Sequence, residues 1–300
     1  MSRLGPTALV GSYTPLVTPF TDGAVDLATF ESLVDRQAQQ GSQGVVVTGT
    51  SGEPSVCTVE ERAELVRAAV AAAAGRIPVV AATGTESLAA TLDLTRRAVD
   101  AGADAVLVVT PYYIRPPQRG LEEYFVRVAG EVDVPVLIYH IPGRASVALE
   151  AGTIEAIARR ADNLVGMKHA AVDLSLVTEV LHRIGPEFRV FVGLEELSLP
   201  MLAIGACGMM NAVGNLVPER VAALWRAVDR GDLAEARKVH DELWELNKSV
   251  FFDTNPIPIK YMLRRMGVLA TNEHRLPMAS ATPELAVRLD AVLERAGLLS

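Results

Sequence analysis

The sequence predicts an α/β fold, a (β/α)8 TIM barrel with a C-terminal helical extension. Eight short apolar runs recur along the chain. Runs of this kind are typical of strands that are buried on both faces of a parallel sheet. Helical patterns lie between these runs, and successive runs start roughly 20–35 residues apart, about one βα unit each. Eight such units are complete by about residue 230, and a closed barrel of about 250 residues is the fold that this count favours.

The eight predicted strands are nearly all apolar and are bounded by Gly, Pro or polar residues. They are YTPLVTPF (13–20), GVVVTG (44–49), IPVVAAT (77–83), DAVLVVTP (104–111), VPVLIYHIP (134–142), NLVGMKHA (163–170), FRVFVG (188–193) and CGMMNAVGN (207–215). A doubly wound sheet is the alternative fold. Eight units without a G-x-G-x-x-G fingerprint make that alternative weaker than the barrel.

The helices between the strands have recognisable ends. The helix that follows the second strand begins with Thr58 and Glu61 at capping-box spacing. The next helix ends at Gly102, a residue typical of helix C-termini.

Three further helical patterns follow the eighth unit, at residues 233–250, 256–267 and 282–297. No linker-like or low-complexity stretch separates them from the preceding chain. We therefore expect a barrel over residues 1–230 and C-terminal helices over residues 231–300 that pack on the barrel.

Composition excludes several classes of protein. Half of the 300 residues are hydrophobic, which is enough for a large core. The net charge of −8 disfavours nucleic acid and anionic membranes as partners. Cys57 and Cys207 fit no disulfide framework, so a reducing, cytoplasmic setting is expected. The first 13 residues lack a signal-peptide core, and no apolar stretch reaches the ~18 residues of a membrane span.

Lysine is rare in this chain, which makes its positions informative. The sequence has 4 lysines and 24 arginines, and the first lysine is Lys168, at the end of the predicted strand NLVGMKHA. Unlike arginine, lysine can lose its proton and become an amine nucleophile. The ordinary lysine pKa of ~10.4 falls when the amine is desolvated or lies near other cations, and the neutral amine can then attack a ketone. The resulting iminium would acidify the neighbouring carbon and permit carbon–carbon bond formation or cleavage.

Polar side chains follow several of the predicted strands, at the mouth of the barrel where catalysis occurs in this fold. The strand ends read TGTSGE (48–53), TPYY (110–113), YHIPGR (139–144) and Lys168. Tyr139 is suited to shuttle protons, with Thr50 as a relay. Hydroxyl and backbone N–H groups of residues 49–52 are suited to hold a keto-acid carboxylate. Arg144 is suited to bind a second carboxylate in bidentate fashion.

Each of these residues also has a purely structural interpretation. A lysine at a strand end is more often ion-paired than catalytic, a glycine-rich stretch is often only a tight turn, and Arg144 has Glu150 nearby as a pairing partner. A metal site is not expected, because His140 and His169 lack a spaced carboxylate. The hypothesis of an active site depends on the combination, since four strand ends supply complementary groups.

Five motifs, in order along essentially the whole chain, resemble the dihydrodipicolinate synthase and N-acetylneuraminate lyase superfamily. They are GTSGE (49–53), TPYYIRPPQRG (110–120), YHIPGR (139–144), GMKHA (166–170) and NPIPIKYMLRRMG (255–267). The resemblance implies a class I Schiff base between Lys168 and a pyruvate-type 2-keto acid, with no cofactor and no metal. It implies Tyr139 and Thr50 as a proton relay and Tyr113 as a residue lent across a dimer interface. The implied assembly is a homotetramer, built as a dimer of dimers.

The same resemblance implies a set of substrate-binding residues. Thr50 and Ser51 would bind the keto-acid carboxylate, and Arg144 matches the position that holds the second substrate's carboxylate in the synthase branch. The candidate substrate-binding residues are Ser51, Gly49, Arg144, His140 and Met210. The expected partners are a small-molecule 2-keto acid and an aldehyde.

Four departures from the synthase pattern leave the second substrate open. Ser51 stands in a loop that normally reads GTTGE, and His140 replaces the usual Asn. His169-Ala170-Ala171 replaces Glu-Ala-Thr, and Gly193-Leu194-Glu195 replaces Gly-Asp-Asp. Arg144 favours the synthase, which condenses pyruvate with aspartate semialdehyde, whereas the departures favour a 2-keto-3-deoxy acid aldolase or dehydratase. A non-catalytic keto-acid-binding paralogue is a further alternative, against which the intact Lys168 and Tyr139 argue.

The resemblance also bears on regulation. Lysine-inhibited synthases of this family hold lysine at the dimer interface, beside the first tyrosine of the pair that is Tyr112 and Tyr113 here. The other matching positions in this chain are Pro54, Ser55, Val59, Arg62, Glu86 and Ala90. Only Glu86 offers a strong acceptor for an ammonium group, so we expect L-lysine to have no effect on this protein.

Overall fold

The computed structural model describes residues 8–299 and contains the predicted barrel. Its strands are β1 (Gly11–Pro15), β4 (Gly44–Val47), β5 (Val79–Ala82), β6 (Ala105–Val109), β7 (Val136–His140), β8 (Leu164–His169), β9 (Arg189–Val192) and β10 (Gly208–Met209). They are all parallel and close in the order β1-β10-β9-β8-β7-β6-β5-β4. A separate antiparallel hairpin of β2 (Phe20–Thr21) and β3 (Ala24–Val25) follows β1. The prediction of a (β/α)8 barrel is confirmed.

Helices connect the strands and cover the barrel. Those of the barrel units are α1 (Leu27–Gln39), α2 (Val59–Ala73), α3 (Leu88–Asp100), α4 (Gln118–Ala129), α5 (Pro142–Ala145), α6 (Ala151–Arg160), α7 (Leu174–Ile184), α8 (Ser198–Ala203) and α9 (Pro218–Asp229). The predicted capping box is present at the start of α2, where Thr58 and Glu61 each accept a hydrogen bond from the other's backbone N–H. Gly102, just beyond α3, has φ +96°, a left-handed conformation that favours glycine.

Two apolar cores result from the alternation of side chains along the strands. Leu107, Leu137 and Phe191 belong to the core inside the barrel. Ile138 and Met167 belong to the core between the strands and the helices. Because successive side chains of a strand point to opposite faces, adjacent residues at a strand end do not share a face.

Two predicted elements differ from the observed ones. The first strand was expected within residues 13–20, but β1 ends at Pro15. Prolines at positions 15 and 19 have no N–H to donate, which prevents a regular ladder through this stretch. The eighth strand, expected within residues 207–215, has only two residues, because a 3-10 turn at Ala212–Asn215 follows it.

The C-terminal extension contains α10 (Leu233–Glu242), α11 (Trp244–Ser249), α12 (Ile257–Arg265) and α13 (Pro283–Arg295). The single helix expected at 233–250 is therefore two helices, and Leu243 lies between them with nearly helical angles of φ −82° and ψ −10°. The boundary predicted at residues 230 and 231 falls between α9 and α10. Residues of both parts, such as Val221 and Leu289, belong to one apolar core, and a division into two units stays a prediction.

The membrane prediction can be compared with the helices within residues 8–299. None of these helices combines the length and the apolar character that crossing a membrane requires. The prediction about the N-terminal segment concerns residues 1–13, and residues 1–7 of that segment lie outside the described residues.

Candidate active site

The loop after β4 brings hydroxyl groups to the barrel mouth through an unusual backbone path. Thr48 has φ +55°, and its side-chain hydroxyl donates to the carbonyl of Ala82 on the neighbouring strand, at 2.9 Å. Thr50–Gly52 then form one 3-10 turn. Ser51 is buried and Thr50 is half-buried. The loop therefore presents the two predicted carboxylate-binding hydroxyls next to each other.

Lys168 and Tyr139 lie side by side on neighbouring strands. They are partners in the register of β7 and β8. The Lys168 ammonium nitrogen lies 4.5 Å from the centre of the Tyr139 ring, and the two residues are each only 6% exposed. A Cβ on Gly193 would come within 2.9 Å of Lys168 Cε. The glycine after β9 therefore leaves room for the lysine side chain.

The four lysines differ sharply in their surroundings. Lys238 and Lys248 are surface residues that pair with Glu235 and Glu196. Lys260 is fully buried, and its ammonium group lies 2.9 Å from Glu53. Within residues 8–299, Lys168 takes part in no such ion pair. It is the buried lysine whose amine is free for chemistry.

Tyr139 and Thr50 are close enough to exchange a proton. The two hydroxyl oxygens are 3.4 Å apart. This is a long hydrogen bond, as is common in catalytic sites without substrate. The structure thus brings the predicted relay residues together next to Lys168.

Two adjoining cavities occupy the mouth. The smaller, of about 50 Å³, is lined by Lys168, Tyr139, Thr50, Ser51, Gly49 and Met210, together with Leu194, Glu195 and Phe251. The larger, of about 260 Å³, shares Gly49, Thr50, Tyr139 and Arg144 with the smaller one and extends towards Arg62 and Tyr112. Most of the predicted site residues therefore surround one continuous space.

Arg144 lies at the entrance of this space. It belongs to α5, directly after β7, and lines both cavities. The alternative that Arg144 pairs with Glu150 is not realised among the described residues, where both side chains are exposed. The guanidinium group is free to bind an anionic ligand.

Tyr113 lies apart from the other candidate catalytic residues. It is 87% exposed, and its φ of +71° is in the left-handed region. Its neighbour Tyr112 lines the larger cavity, whereas Tyr113 lines neither cavity. Tyr113 is therefore the candidate catalytic residue that the cavities of this chain do not include.

The prediction that His140 binds substrate does not agree with the geometry, because His140 lines neither cavity. Its side chain is on the face of β7 opposite to Tyr139, as strand alternation requires. Its Nε2 accepts a hydrogen bond from the N–H of Leu149, so Nδ1 carries the proton and donates to His169 Nδ1 at 3.0 Å. The two rings are stacked with centroids 5.1 Å apart.

Glu195 is a lining residue that sequence reasoning treated only as a departure from the family pattern. It is 1% exposed, and Oε1 accepts a hydrogen bond from the N–H of Ala212. Burial raises its pKa to about 7, against the opposing effect of nearby backbone N–H groups and Lys168. The signal in the sequence is its position, two residues after Gly193, the glycine that follows β9.

Asn255 was also missed as an individual residue, although it begins the motif NPIPIKYMLRRMG. It lines both cavities and donates from Nδ2 to Ser51 Oγ at 3.0 Å. It precedes α12 in the C-terminal extension. Periodicity in the sequence identifies α12 but not the partner that a residue before it will contact.

Comparisons with known proteins agree with this geometry. The model of the dihydrodipicolinate synthetase family matches residues 8–296. A 4-hydroxy-tetrahydrodipicolinate synthase of Thermus thermophilus is 45% identical over 96% of this chain and 97% of its own length. The crystal structure of dihydrodipicolinate synthase from Aquifex aeolicus superposes with a TM-score of 0.95, at 39% identity, over 97% of this chain and 99% of that one. A structure described as the first monomeric dihydrodipicolinate synthase variant also has a TM-score of 0.95, at 35% identity over 98% of this chain and 99% of the other.

These matches extend over nearly the whole chain and include every barrel strand. Among the residues that line the cavities, Lys168, Tyr139, Thr50 and Arg144 match the family motifs, whereas Ser51, Leu194 and Glu195 depart from them. The chain belongs to the dihydrodipicolinate synthetase family.

Proposed function

We propose that this protein is a 4-hydroxy-tetrahydrodipicolinate synthase, a class I lyase that condenses pyruvate with aspartate semialdehyde. The observation that carries the proposal is Lys168, a buried amine without an ion-pair partner among residues 8–299, next to Tyr139 in the smaller cavity of the barrel mouth. The names of the relatives support the same activity.

The first step is imine formation. The amine of Lys168 attacks C2 of pyruvate, and the carbonyl oxygen leaves as water after two protons have been transferred to it. The iminium then withdraws electrons from C3, which loses a proton to give an enamine. The enamine attacks the aldehyde carbon of the second substrate and forms the new carbon–carbon bond, while the aldehyde oxygen takes up a proton and the iminium on Lys168 re-forms. The amino group of the condensed substrate then attacks C2 and displaces the lysine amine, which frees Lys168 for the next cycle.

Tyr139 and Thr50 are suited to move the protons of these steps. The Tyr139 ring lies beside the Lys168 amine, and its hydroxyl is 3.4 Å from the hydroxyl of Thr50. A tyrosine hydroxyl can donate a proton to the departing oxygen and take one from C3. We assign Tyr139 as the proton-transfer group and Thr50 as its relay.

Two anion-binding positions fit the two substrates. The hydroxyls of Thr50 and Ser51, with the Gly49–Gly52 backbone, form a neutral site for the pyruvate carboxylate. Arg144 offers a planar pair of donors for the carboxylate of aspartate semialdehyde. Met210 closes the smaller cavity as an apolar wall.

The assembly belongs to the same proposal. Tyr113 is exposed on the single chain, and we assign it to the active site of a second protomer. The proposed homotetramer, a dimer of dimers, would bury this residue. One relative is described as monomeric, so the assembly of this chain has to be measured.

A 2-keto-3-deoxy acid aldolase or dehydratase is the second candidate. Leu194 and Glu195 line the smaller cavity where the family pattern has two aspartates, and they favour this candidate. His140 and His169 no longer favour it, because they lie behind the strands.

Steady-state assays with purified protein test the proposal. We expect consumption of pyruvate and aspartate semialdehyde in equal amounts, and no comparable cleavage of 2-keto-3-deoxy acids. Lys168→Arg is the matched control, since it keeps the charge but removes the nucleophile. Cleavage of a 2-keto-3-deoxy acid without condensation would establish the second candidate. Imine formation without turnover of any substrate would indicate the non-catalytic paralogue.

A further inference from the structure

The loop that carries Thr50 and Ser51 is held by hydrogen bonds at three successive residues, Ser51, Gly52 and Glu53. Asn255 bonds to the side chain of Ser51 at 3.0 Å. Thr18 donates from its hydroxyl to the carbonyl of Gly52 at 2.8 Å. Glu53 is bonded to Lys260 and His274. Each of these contacts joins residues more than thirty positions apart in sequence.

Glu53 is the centre of a buried polar cluster. One carboxylate oxygen accepts from Lys260 Nζ at 2.9 Å, and the other lies 2.9 Å from His274 Nδ1. The side chains of all three are at most 1% exposed. The Lys260 ammonium also donates to the carbonyl of Thr18 at 3.0 Å. Lys260 is therefore hydrogen-bonded both to Thr18, which holds Gly52, and to Glu53 at the end of the loop.

The backbone at Glu53 needs such support. Its φ of +51° is in the left-handed region, which a residue with a side chain adopts at a cost. On the other side, a Cβ on Gly52 would lie 3.3 Å from the carbonyl oxygen of Leu16. The loop thus packs closely against the residue that follows β1. It ends at Glu53, a residue with a strained backbone whose two carboxylate oxygens are both hydrogen-bonded.

The bond from Asn255 also orients the Ser51 hydroxyl. Asn255 Nδ2 is the donor at 3.0 Å, while the reverse contact, from Ser51 to Asn255 Oδ1, is longer at 3.4 Å. When Ser51 Oγ accepts from the amide, its own proton remains available. A hydroxyl with a free proton is the donor that a carboxylate needs.

We propose that Asn255, Lys260 and His274 of the C-terminal extension are positioning residues that, through Ser51 and Glu53, set the affinity of the barrel for its 2-keto acid. The inference rests on the proposed function, since it takes residues 49–52 as the carboxylate site. It gives the extension a role in the site that the barrel strands alone do not supply.

A role limited to stability is the rival explanation. Breaking a buried ion pair destabilises a protein, whereas replacing both charges often does not. Stability and positioning can therefore be separated by a variant in which neither Glu53 nor Lys260 is charged. Such a variant would regain the melting temperature of wild type but not the geometry of the loop.

The experiment measures imine formation with pyruvate by borohydride trapping in Lys260→Met, in Glu53→Gln and in the double variant. Lys238→Met is the matched control, since Lys238 is an exposed lysine of α10 that pairs with Glu235 and not with a residue of the loop. We expect Lys260→Met to raise the half-saturating pyruvate concentration about tenfold or more, as the loss of a buried charged contact predicts. The limiting trapping rate should stay within about threefold of wild type, because Lys168 and Tyr139 are unchanged.

The double variant and a second single variant complete the test. In the double variant the melting temperature should return towards that of wild type, while the pyruvate requirement stays raised. If Lys260→Met does not fold, His274→Leu removes one contact to Glu53 without leaving a buried lysine unpaired, and a smaller rise is expected. Folded variants with an unchanged pyruvate requirement, or a double variant that regains both properties, would overturn the inference. Absence of trapping in the wild-type protein would instead refute the proposed function.

Discussion

Two lysines are buried near the barrel mouth, and their partners separate their roles. Burial lowers the pKa of Lys260, but Glu53 opposes the shift and binds the ammonium group. Lys168 faces an aromatic ring and the smaller cavity of the barrel mouth. A buried lysine is therefore not by itself a nucleophile, and the presence or absence of a fixed anionic partner decides its role.

Tyr139→Phe tests the proton relay at the level of one atom. The ring still packs in the barrel core, but the hydroxyl that lies 3.4 Å from Thr50 is lost. Turnover should fall by roughly 10²–10⁴, the range for loss of general acid–base catalysis. The melting temperature should change little. Turnover close to wild type would make Tyr139 a packing residue only.

At the residue scale, the sequence predicts what a strand end supplies but not which way each side chain points. Lys168, Tyr139 and Thr50 meet as predicted, because parallel strand ends converge. His140 follows Tyr139 directly and was assigned to the same mouth, yet it lies on the opposite face. Asn255 comes from a distant element, and long-range contacts of this kind leave no periodic signal.

At the element scale, β7 and β8 are joined behind the active site by a pair of neutral histidines. Burial lowers the pKa of His140 to about 4, His169 adds to this effect, and Asp173 opposes it. The pKa of His169 is also lowered, again mainly by burial. Either histidine would lose a hydrogen bond on protonation, since His140 Nε2 and His169 Nδ1 are both acceptors.

This arrangement predicts a loss of stability in acid. The unfolded chain protonates His140 below about pH 6.5, whereas the folded chain does so only near pH 4. The contribution of neutral His140 to the free energy of unfolding is therefore complete above pH 6.5. It falls by roughly 3 kcal/mol as the pH drops towards 4, since each pKa unit corresponds to about 1.4 kcal/mol. Urea denaturation at pH 7.5 and pH 4.5 should show a smaller pH effect in His140→Asn than in wild type.

His182→Asn is the control for this comparison, because His182 is exposed at the end of α7. It should leave the pH dependence unchanged. Equal pH dependence in His140→Asn and wild type would mean that the histidine pair does not govern acid stability.

The elements themselves were largely predictable. Continuous apolar runs identify strands buried on both faces, and the capping residues Thr58 and Glu61 mark the start of α2. The errors lie at β1 and β10, where prolines and a 3-10 turn shorten the ladder, and at Leu243, where an amphipathic pattern continues through a break. Apolar periodicity in the sequence indicates which residues are buried. Residues can remain buried where the regular hydrogen bonding of a strand or helix stops.

At the scale of the whole molecule, the proposed assembly predicts complementation between inactive chains. Tyr113→Phe and Lys168→Arg should each lower turnover, and co-expressed mixtures should recover part of the activity. In a mixed dimer, the chain with an intact Lys168 would receive an intact Tyr113 from its partner. Assays of separately purified and co-purified variants, with sedimentation analysis, measure this. Absence of recovery in proven mixed dimers would show that Tyr113 does not act across an interface.

The expected insensitivity to L-lysine also concerns the assembled molecule. Burial raises the pKa of Tyr112 to about 12, and a hydrogen bond to Glu86 adds to the shift. Arg62 donates to the carbonyl of Ala82 at 3.0 Å. Glu86, the strongest acceptor near Tyr112, is thus already engaged, and Ala90 offers none. Millimolar L-lysine should leave both turnover and the melting temperature unchanged. Saturable inhibition would show that other residues build a lysine site.

Borohydride reduction in the presence of pyruvate tests whether Lys168 is the nucleophile of a keto-acid-dependent enzyme. Mass spectrometry of the digested protein should find the added three-carbon acid on the peptide that contains Lys168, and on no peptide that contains Lys238, Lys248 or Lys260. Lys168→Arg should prevent the labelling although it keeps the positive charge. Labelling of another lysine, or no labelling with pyruvate or any other 2-keto acid, would show that Lys168 is not the nucleophile.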